Sequence, residues 1–313
     1  MAIHAARHFI TGAELDAQEL ARLLDRAEAL KADPLCSRVL EGRTVALIFE
    51  RPSTRTRLSF EAGVVELAGH PAVIRADDLQ LSRGESLHDT AVVLSGHMAA
   101  VGLRTGSDET LNELATHSSV PVINMLSPSH HPCQALADLL TLRESYGELS
   151  GVRLAYVGDS TNVTRSLITL GAIAGMQVAV ASPPGYSFAD AGSELDLDSG
   201  DGAETTAVSF HTDPREAVAD AHAVYTDVWV SMGDEATAEQ RRRALGGYRV
   251  DDTLLDAAAP GAFALHCLPA HPDEEITADV LYGPRQRIWE QAENRRHVQK
   301  ALLELLLDAL PDG

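Results

Sequence analysis

The fold is decided by the stretch Val45-Ala46-Leu47-Ile48-Phe49-Glu50-Arg51-Pro52-Ser53-Thr54-Arg55-Thr56-Arg57 and the residues that follow it. Its apolar first part predicts a buried strand, and Phe60, Val64 and Leu67 recur beyond it at the spacing of a helix face. A helix N-terminus leaves backbone N–H groups unpaired at the positive end of its dipole, so the S-T-R-T segment can bind a phosphate. The alternative is a Ser/Thr helix cap beside solvated arginines, and the motif alone does not separate the two.

Strand-like and helix-like segments alternate along the whole chain, which predicts parallel sheets covered by helices. A first series runs up to a helix with Pro132 in its first turn, and a second begins after Gly151. We therefore expect an α/β protein with two doubly wound parallel-sheet domains joined by long helices. Residues 1–147 would form the first domain and residues 148–292 the second. The C-terminal helix, within residues 293–313, would pack back on the first domain.

The composition argues against several classes of protein. The 313 residues carry a formal net charge of −21, so we expect no binding to nucleic acid or to an anionic membrane. No apolar run reaches the ~18 residues of a membrane-spanning helix, and the N-terminus lacks the apolar core of a signal peptide. Cys36, Cys133 and Cys267 make no disulfide framework, which indicates a reducing, cytoplasmic location.

The charged residues also suggest the medium in which the protein works. The 46 acidic residues face 25 basic ones, of which only Lys31 and Lys300 are lysines. Abundant carboxylates with almost no lysine suit concentrated salt, in which self-repulsion is screened. We therefore predict a halophilic source. The alternative is an ordinary acidic protein from a GC-rich genome, in which arginine replaces lysine for codon reasons.

Polar residues follow the predicted strands, at the edge where doubly wound domains bind ligands. Those of the first series are cationic or rich in hydrogen-bond donors: Ser53, Thr54, Arg55, Thr56, Arg57, Arg104, His130, His131, Pro132, Cys133 and Gln134. Those of the second include carboxylate, amide, hydroxyl and thiol groups: Asp159, Ser160, Thr161, Asn162, Asp227, Ser231, His266 and Cys267. Arg295 is expected at the start of the closing helix. This division suits an anionic phosphate compound on one side and an amine substrate on the other.

Most of these residues also have a structural alternative. Arg104 could pair with Asp108, His131 could cap a helix, Asp159 and Asn162 could cap the helix that follows them, and Cys267 could be a core residue. A thiol nucleophile beside His266 is disfavoured, because neighbouring side chains of a strand point to opposite faces. His266, Cys267 and His271 match no zinc spacing, and the glycine motifs for dinucleotides and nucleoside triphosphates are missing. We expect neither a metal nor an organic cofactor.

Taken together and in order, the motifs resemble the aspartate/ornithine carbamoyltransferase family over essentially the whole chain. Ser53-Thr54-Arg55-Thr56-Arg57 and His131-Pro132-x-Gln134 are similar to the carbamoyl phosphate motifs that the aspartate and ornithine enzymes share. Asp227-x-x-x-Ser231-Met232-Gly233 and His266-Cys267-Leu268-Pro269 resemble the motifs particular to the ornithine enzymes. Gly84-Glu85-Ser86-x-x-Asp89-Thr90 adds a match, and Arg83 stands where an aspartate enzyme would carry lysine.

The resemblance implies two sets of binding residues. Carbamoyl phosphate would be bound by Ser53, Thr54, Arg55, Thr56, Gln80, Arg104, His131, Pro132, Cys133, Gln134, Cys267, Leu268 and Arg295. Gln80 would come from a neighbouring subunit, because members of the family are trimers or multiples of trimers. L-ornithine would be bound by Asn162, Asp227, Ser231 and Met232. The catalytic residues implied are Arg104, His131, Asp227 and Cys267.

The reaction implied is transfer of the carbamoyl group to the side-chain amine of L-ornithine, giving L-citrulline and phosphate. It would be reversible, of the urea-cycle type, and would serve arginine biosynthesis or arginine fermentation. Arg104 and His131 would stabilise the oxyanion, and the rate should rise with pH because the amine must lose a proton. The alternatives are a related acceptor, such as putrescine, a modified ornithine or aspartate, or a non-catalytic anion-binding homologue.

Overall fold

The computed structural model describes residues 6–80, 84–188, 208–231 and 235–310. The chain divides into two compact units. The first comprises Met1–Leu140 and Glu293–Gly313, and the second comprises Thr141–Ala292. Each unit contains one parallel sheet with helices, so the predicted α/β class is confirmed. Among the described residues, none of the helices combines the length and the apolar character needed to span a membrane.

The first unit is built on a four-stranded sheet. Its strands are β1 (Thr44–Phe49), β2 (His70–Arg75), β3 (Ala100–Arg104) and β4 (Val122–Leu126). Its helices are α1 (Ala17–Ala32), α2 (Thr54–Glu66), α3 (Leu87–His97) and α4 (Asp108–His117), and α5 (Pro132–Tyr146) begins in this unit. The strand order is β2-β1-β3-β4, and every neighbouring pair is parallel.

The second unit is built on a five-stranded parallel sheet. Its strands are β5 (Arg153–Val157), β6 (Gln177–Ala181), β7 (Val208–His211), β8 (Ala223–Thr226) and β9 (Phe263–His266), in the order β7-β6-β5-β8-β9. Its helices are α6 (Asn162–Ile173), α7 (Pro214–Val218), α8 (Ala238–Leu245), α9 (Asp252–Asp256) and α10 (Ala278–Tyr282). The chain then enters α11 (Ile288–Leu306), which ends in the first unit.

Strand β1 and helix α2 form the strand-to-helix turn that the opening motif predicts. β1 lies between β2 and β3, and its last five residues are buried, which explains why it reads as a continuous apolar run. Phe60 and Val64 of α2 are buried, at helical spacing. Ser53 is extended (φ −153°, ψ 115°) and is the last residue before the helix.

The C-terminal part of α11 packs on helices of the first unit, as predicted. Its apolar residues Val298, Ala301 and Leu302 are fully buried. Lys300, also fully buried, donates to Glu66 Oε2 at 2.6 Å, to Leu30 O in the last turn of α1 at 3.1 Å and to Pro34 O just beyond that helix at 3.2 Å. A compact ammonium with three donors suits this small cluster of oxygens, whereas a planar guanidinium does not.

Candidate active site

The first candidate region lies where β1 gives way to α2. Ser53 is the N-cap residue by conformation, yet its side chain makes no capping hydrogen bond. A helix cap formed by the Ser53 hydroxyl is therefore not the explanation of this motif. Thr54 is exposed, Arg55 is half-buried, and Thr56 is buried with 1% of its surface accessible. Hydroxyls, helix-start N–H groups and a guanidinium thus converge at one strand end, which is chemistry suited to a phosphate.

Arg295 joins two of the predicted motifs. Its guanidinium is 2% exposed and donates from Nη2 to Thr56 Oγ1 at 2.6 Å and from Nη1 to Gln134 Oε1. Gln134 in turn donates from Nε2 to Asp138 Oδ1 at 2.7 Å. The structure therefore brings the S-T-R-T-R motif, the H-P-x-Q motif and Arg295 into one hydrogen-bonded cluster.

Arg295 lies within α11 and not at its start, so that detail of the sequence analysis is wrong. The helix begins at Ile288, whose N–H donates to Gln286 Oε1 at 2.6 Å. This bond satisfies one of the N–H groups that a helix start leaves unpaired. Apolar residues at helical spacing lie mainly in the C-terminal part of this helix, and its first half carries mainly polar residues, so its start is hard to predict from the sequence.

Arg104 ends one strand and His131 follows the neighbouring one, in the chain order that the sequence predicts, with His131 between β4 and α5. Arg104 is the last residue of β3, and His131 directly precedes α5; they are 9% and 5% exposed. Burial lowers the pKa of His131 well below its ordinary value, and the charges of Arg295, Arg104 and Arg55 lower it further. The imidazole is therefore neutral at neutral pH, within the field of three arginines.

Two structural alternatives for this region can be compared with the contacts. The carboxylate of Asp108, the suggested partner of Arg104, accepts the hydroxyl of Ser129 at 2.7 Å. His131 contributes its backbone carbonyl to the first turn of α5, where it accepts from Gln134 N at 3.0 Å. Pro132 is the first residue of α5, as expected for a residue that lacks an N–H.

Cys133 lies inside the same turn but does not have the properties of a nucleophile. It is fully buried, and its Sγ donates to Asn124 O at 3.4 Å. Burial raises the pKa of Cys133 to about 12, so the group stays a thiol at neutral pH. Gln80, by contrast, is exposed, and its carbonyl accepts from Glu85 N at 3.2 Å. Residues 81–83, including Arg83, lie outside the described residues.

The second candidate region lies at the ends of β8 and β9. These strands are parallel neighbours, with Thr226 opposite His266, so Asp227 and Cys267 follow them side by side. Asp227 is 8% exposed, and its Oδ1 accepts from Cys267 Sγ at 3.0 Å and from Val228 N at 2.8 Å. The thiol therefore acts as a hydrogen-bond donor to a nearly buried carboxylate and not as a core filler.

His266 is used to shape the turn after β9. Its Nδ1 accepts from Leu268 N at 2.8 Å, so its Nε2 carries the proton and faces Glu275 Oε1 at 3.2 Å. The same carboxylate oxygen accepts from His271 N at 2.5 Å. Leu268 has a positive φ of 61°, and Glu275 is fully buried. Glu275 was not found by sequence reasoning, because no spacing in the sequence distinguishes it from a surface acid.

Asp227, His266 and Cys267 each bring a possible ligand atom within 4.8 Å of the others, and so do His271, Glu274 and Glu275. In the first group both imidazole nitrogens face hydrogen-bonding partners within the protein. The thiol likewise donates to the carboxylate of the same group. The atoms of the first group thus already hold the turns after β8 and β9 in place.

The remaining residues predicted to bind the acceptor flank this region. Asn162 is the first residue of α6, and Thr161 is the N-cap, so the suggestion that Asn162 caps the helix is wrong. Asp159 does not cap α6 either; it pairs with Arg241, a residue that the sequence analysis did not single out. Ser231 is half-buried after β8. Met232 and Gly233 lie outside the described residues.

The two strand-end regions thus differ in chemistry. The first gathers arginines, hydroxyls and helix-start N–H groups around a neutral imidazole, which suits a phosphate and a developing oxyanion. The second presents a carboxylate with a thiol, which suits an amine.

Comparison with known proteins fits this division. Residues 7–144 match the family described as "Aspartate/ornithine carbamoyltransferase, carbamoyl-P binding domain", and residues 150–306 match "Aspartate/ornithine carbamoyltransferase, Asp/Orn binding domain". The fold and the motifs define a carbamoyltransferase, and the chain belongs to the aspartate/ornithine carbamoyltransferase family. The resemblance seen in the sequence is therefore confirmed.

Individual relatives cover nearly the whole chain. The chain is 52% identical over 308 residues to the ornithine carbamoyltransferase of Acidothermus cellulolyticus, with 97% of each chain covered. It is 49% identical to that of Parafrankia sp., with 98% of each covered. The solved ornithine carbamoyltransferase from Pyrococcus furiosus has a TM-score of 0.88 and 42% identity, covering 98% of this chain and 99% of its own. A solved N-acetyl-L-ornithine transcarbamylase is 28% identical, with a TM-score of 0.82, covering 96% of this chain and 99% of its own.

Proposed function

We infer that this chain transfers the carbamoyl group of carbamoyl phosphate to the side-chain amine of L-ornithine, giving L-citrulline and phosphate. The observation that carries the inference is the pairing of Asp227 with Cys267 at adjacent strand ends, 3.0 Å apart. A carboxylate and a thiol so placed are suited to binding the side-chain amine of the acceptor, first as the ammonium and then as the neutral nucleophile. Similarity over nearly the full length to ornithine carbamoyltransferases, one of them 52% identical, supports the same acceptor.

The donor substrate is bound by the first unit. The phosphate group takes the N–H groups and hydroxyls of residues 53–56 together with Arg55, because these donors surround the positive end of α2. Gln134, the backbone of Pro132 and Cys133, and Arg295 line the carbamoyl part, with Gln80 of a neighbouring subunit as a further contact.

Arg104 and His131 stabilise the charge that develops on the carbamoyl oxygen. Arg104 offers a fixed positive charge, and His131 offers the N–H of a neutral imidazole, since its pKa is lowered. Donors held in place before the reaction need no reorganisation when the tetrahedral intermediate forms. The same positive field favours departure of the phosphate, which leaves toward the N-terminus of α2.

The acceptor is bound by the second unit. Asp227 and Cys267 orient the side-chain amine, while Asn162, Ser231 and Met232 bind the amino acid end. The nucleophile is the neutral amine, so a proton must leave the ammonium form before attack, and the rate rises with pH. Holding both reactants in register supplies much of the remaining acceleration. No metal or organic cofactor takes part.

Assembly into a homotrimer, or a multiple of trimers, belongs to the same proposal. Leu58 and Val65 on α2 and Val92 and Val93 on α3 are between 52% and 59% exposed, which is unusual for side chains of this kind. We propose that these side chains are buried against other copies of the chain, each of which contributes Gln80 to a neighbour.

We assign the carbamoyl phosphate-binding domain to residues 1–147 with 293–313, and the ornithine-binding domain to residues 148–292.

The enzyme is also proposed to work in the cytoplasm of a halophile. The charge of −21 and the pair of lysines support this setting. Lys300 is buried and Lys31 donates to Asn294 Oδ1 at 2.8 Å, so each of the two lysines in the chain has a structural contact. Stability and activity should rise with KCl toward molar concentration, and full stability in dilute buffer would contradict the halophilic part of the proposal.

The test is citrulline formation from carbamoyl phosphate and L-ornithine in high KCl, with putrescine, aspartate and N-acetyl-L-ornithine in parallel. The acetylated acceptor is included because a structural relative bears that name. Turnover of carbamoyl phosphate with L-ornithine, and with none of the other three acceptors, supports the proposal. Preference for another acceptor would assign a different carbamoyltransferase, and no turnover with any of them would favour a non-catalytic homologue.

A further inference from the structure

Arg241 joins three turns at the carboxyl edge of the second sheet. It lies on α8, and its Nη1 donates to Asp159 Oδ2 at 2.5 Å in the turn between β5 and α6. The same Nη1 lies 3.5 Å from Trp229 O in the turn after β8. The guanidinium also stands over the ring of Tyr186, 5.6 Å from its centroid, in the segment after β6. One side chain thus contacts the turns that follow three neighbouring strands.

The ion pair of Arg241 with Asp159 is more than a solvated surface contact. The two side chains are 18% and 16% exposed. Most exposed ion pairs contribute little, whereas a partly buried charge that loses its partner stays desolvated and unpaired. Removing either side chain is therefore expected to leave its partner's charge unpaired and to disturb the turn that carries Asp159.

Two of the three turns that Arg241 contacts carry residues assigned to the acceptor. Asp159 precedes Asn162 in the turn that starts α6, and Trp229 precedes Ser231 in the turn after β8. The Asp159 turn is also fixed on its inner side, because Tyr156 Oη donates to Asp159 O at 2.8 Å and Ser160 N donates to Tyr186 O at 2.9 Å. Arg241 supplies the contact that ties this turn to the one after β8.

We propose that Arg241, through its pair with Asp159, is a positioning residue for the amino acid end of the acceptor. It sets the spacing between the Asn162 turn and the Ser231 turn without touching the substrate. It also neutralises Asp159, which leaves Asp227 as the carboxylate that meets the side-chain amine. This inference rests on the proposed function, since it assigns Asn162 and Ser231 to the acceptor.

The test compares Arg241→Gln, Arg241→Lys and Asp159→Asn with the wild-type enzyme in two-substrate kinetics. Arg241→Gln should raise KM for L-ornithine about ten-fold, the usual size for a lost charge-assisted bond. The KM for carbamoyl phosphate should stay unchanged. Asp159→Asn should raise KM for L-ornithine by a similar factor. The double variant should raise it little further than either single variant, because all three break the same contact. Arg241→Lys keeps the charge and should recover part of the loss.

L-norvaline, which has the amino acid end of ornithine but no side-chain amine, separates positioning from a general effect. Its inhibition constant should rise by the same factor as KM for ornithine. Arg243→Gln is the matched control, because Arg243 is on the same helix and pairs with Glu239 while both are largely exposed. That variant should behave as wild type.

Three results would overturn the inference. They are an unchanged ornithine KM in folded Arg241→Gln, an equal rise in both KM values, and an ornithine effect without a norvaline effect. If Arg241→Gln does not fold, the isosteric Asp159→Asn decides the question by the same criteria. Failure of the wild-type enzyme to use ornithine would instead reject the proposed function, so the two failures are distinguishable.

Discussion

At the carboxyl edge of the first sheet, Arg104 and Arg295 are buried beside His131, whereas the same edge of the second sheet buries Asp227 against a thiol. The sequence of β strands and helices is similar in the two units, so the difference lies in the turns and not in the architecture. In a chain with a net charge of −21, buried arginines at the first edge indicate a functional role for positive charge there. The fold thus supplies two equivalent places at its strand ends, and we expect side-chain charge to decide which substrate each one takes.

Hydrogen bonding also differs between the two edges. In the first, Arg295 connects motifs from α2 and α5 through Thr56 and Gln134. In the second, the links run between turns, through Glu275 to His266 and through Arg241 to Asp159. At the first sheet, a predicted binding residue, Arg295, therefore makes the links itself. At the second sheet, Glu275 and Arg241, which are not predicted binding residues, make them.

The largest expected effect is the loss of Arg104. Arg104→Gln should lower kcat by about 100- to 1,000-fold, the range measured for removal of one oxyanion donor. The cause is the lost charge opposite the developing oxyanion, so KM for ornithine should change little. Steady-state turnover measures it, and Arg38→Gln, which affects an exposed arginine paired with Glu41, is the control. A near-normal kcat would remove Arg104 from the catalytic set.

A smaller effect is expected at the acceptor edge from Cys267. Cys267→Ala removes the donor to Asp227 Oδ1 and should lower kcat/KM for ornithine about ten-fold, as for a hydrogen bond to a charged group. Cys267→Ser keeps a donor and should retain more activity than Cys267→Ala. If both variants lose activity completely, the thiol has a covalent role and the account of the acceptor edge needs revision.

A further effect concerns stability and not turnover. His297 on α11 is 1% exposed, and burial with the nearby charges of Lys300, Arg296 and Lys31 lowers its pKa to about 3. Unfolding lets this histidine take up a proton below its ordinary value of 6.5. The stabilisation is therefore complete above pH 6.5 and is lost as the pH falls toward 3.

Replacing His297 should reduce this pH dependence. Between pH 6.5 and 5 the wild-type free energy of unfolding should fall by up to about 1.6 kcal/mol more than that of His297→Gln. Urea unfolding at constant KCl measures both, and the comparison cancels the contributions of His8 and His131, whose pKa values are also lowered. Parallel curves for the two proteins would show that His297 is not responsible.

Much of the fold could be predicted because buried parallel strands read as short apolar runs. The run from Val45 to Phe49 predicts β1 in this way, and the turns after the predicted strands give the candidate residues. Helix α8 was missed because half of its eight residues are charged and it carries no apolar stripe. α9 and α10 were missed because each has only five residues. α1 had a usable signal, the capping box of Asp16 with Glu19.

The site was predictable where its residues form contiguous motifs and not where they act through distant partners. Thr56, His131 and Cys267 belong to short motifs that can be recognised by their order. Arg241 lies 82 positions from Asp159, and no local pattern connects them. Glu275 looks like a surface acid until the structure buries it against His266.

The central claim is that the first edge binds the anion and the second binds the amine. The most direct measurement is two-substrate kinetics on Arg55→Ala and Asp227→Ala, run side by side with the wild-type enzyme. Arg55→Ala should raise KM for carbamoyl phosphate by about 10- to 100-fold and leave KM for ornithine unchanged, because a charge-assisted phosphate contact is lost. Asp227→Ala should do the reverse. Equal effects of either variant on both substrates, or normal turnover of Arg55→Ala at low carbamoyl phosphate, would contradict the division of the two substrates between the two edges.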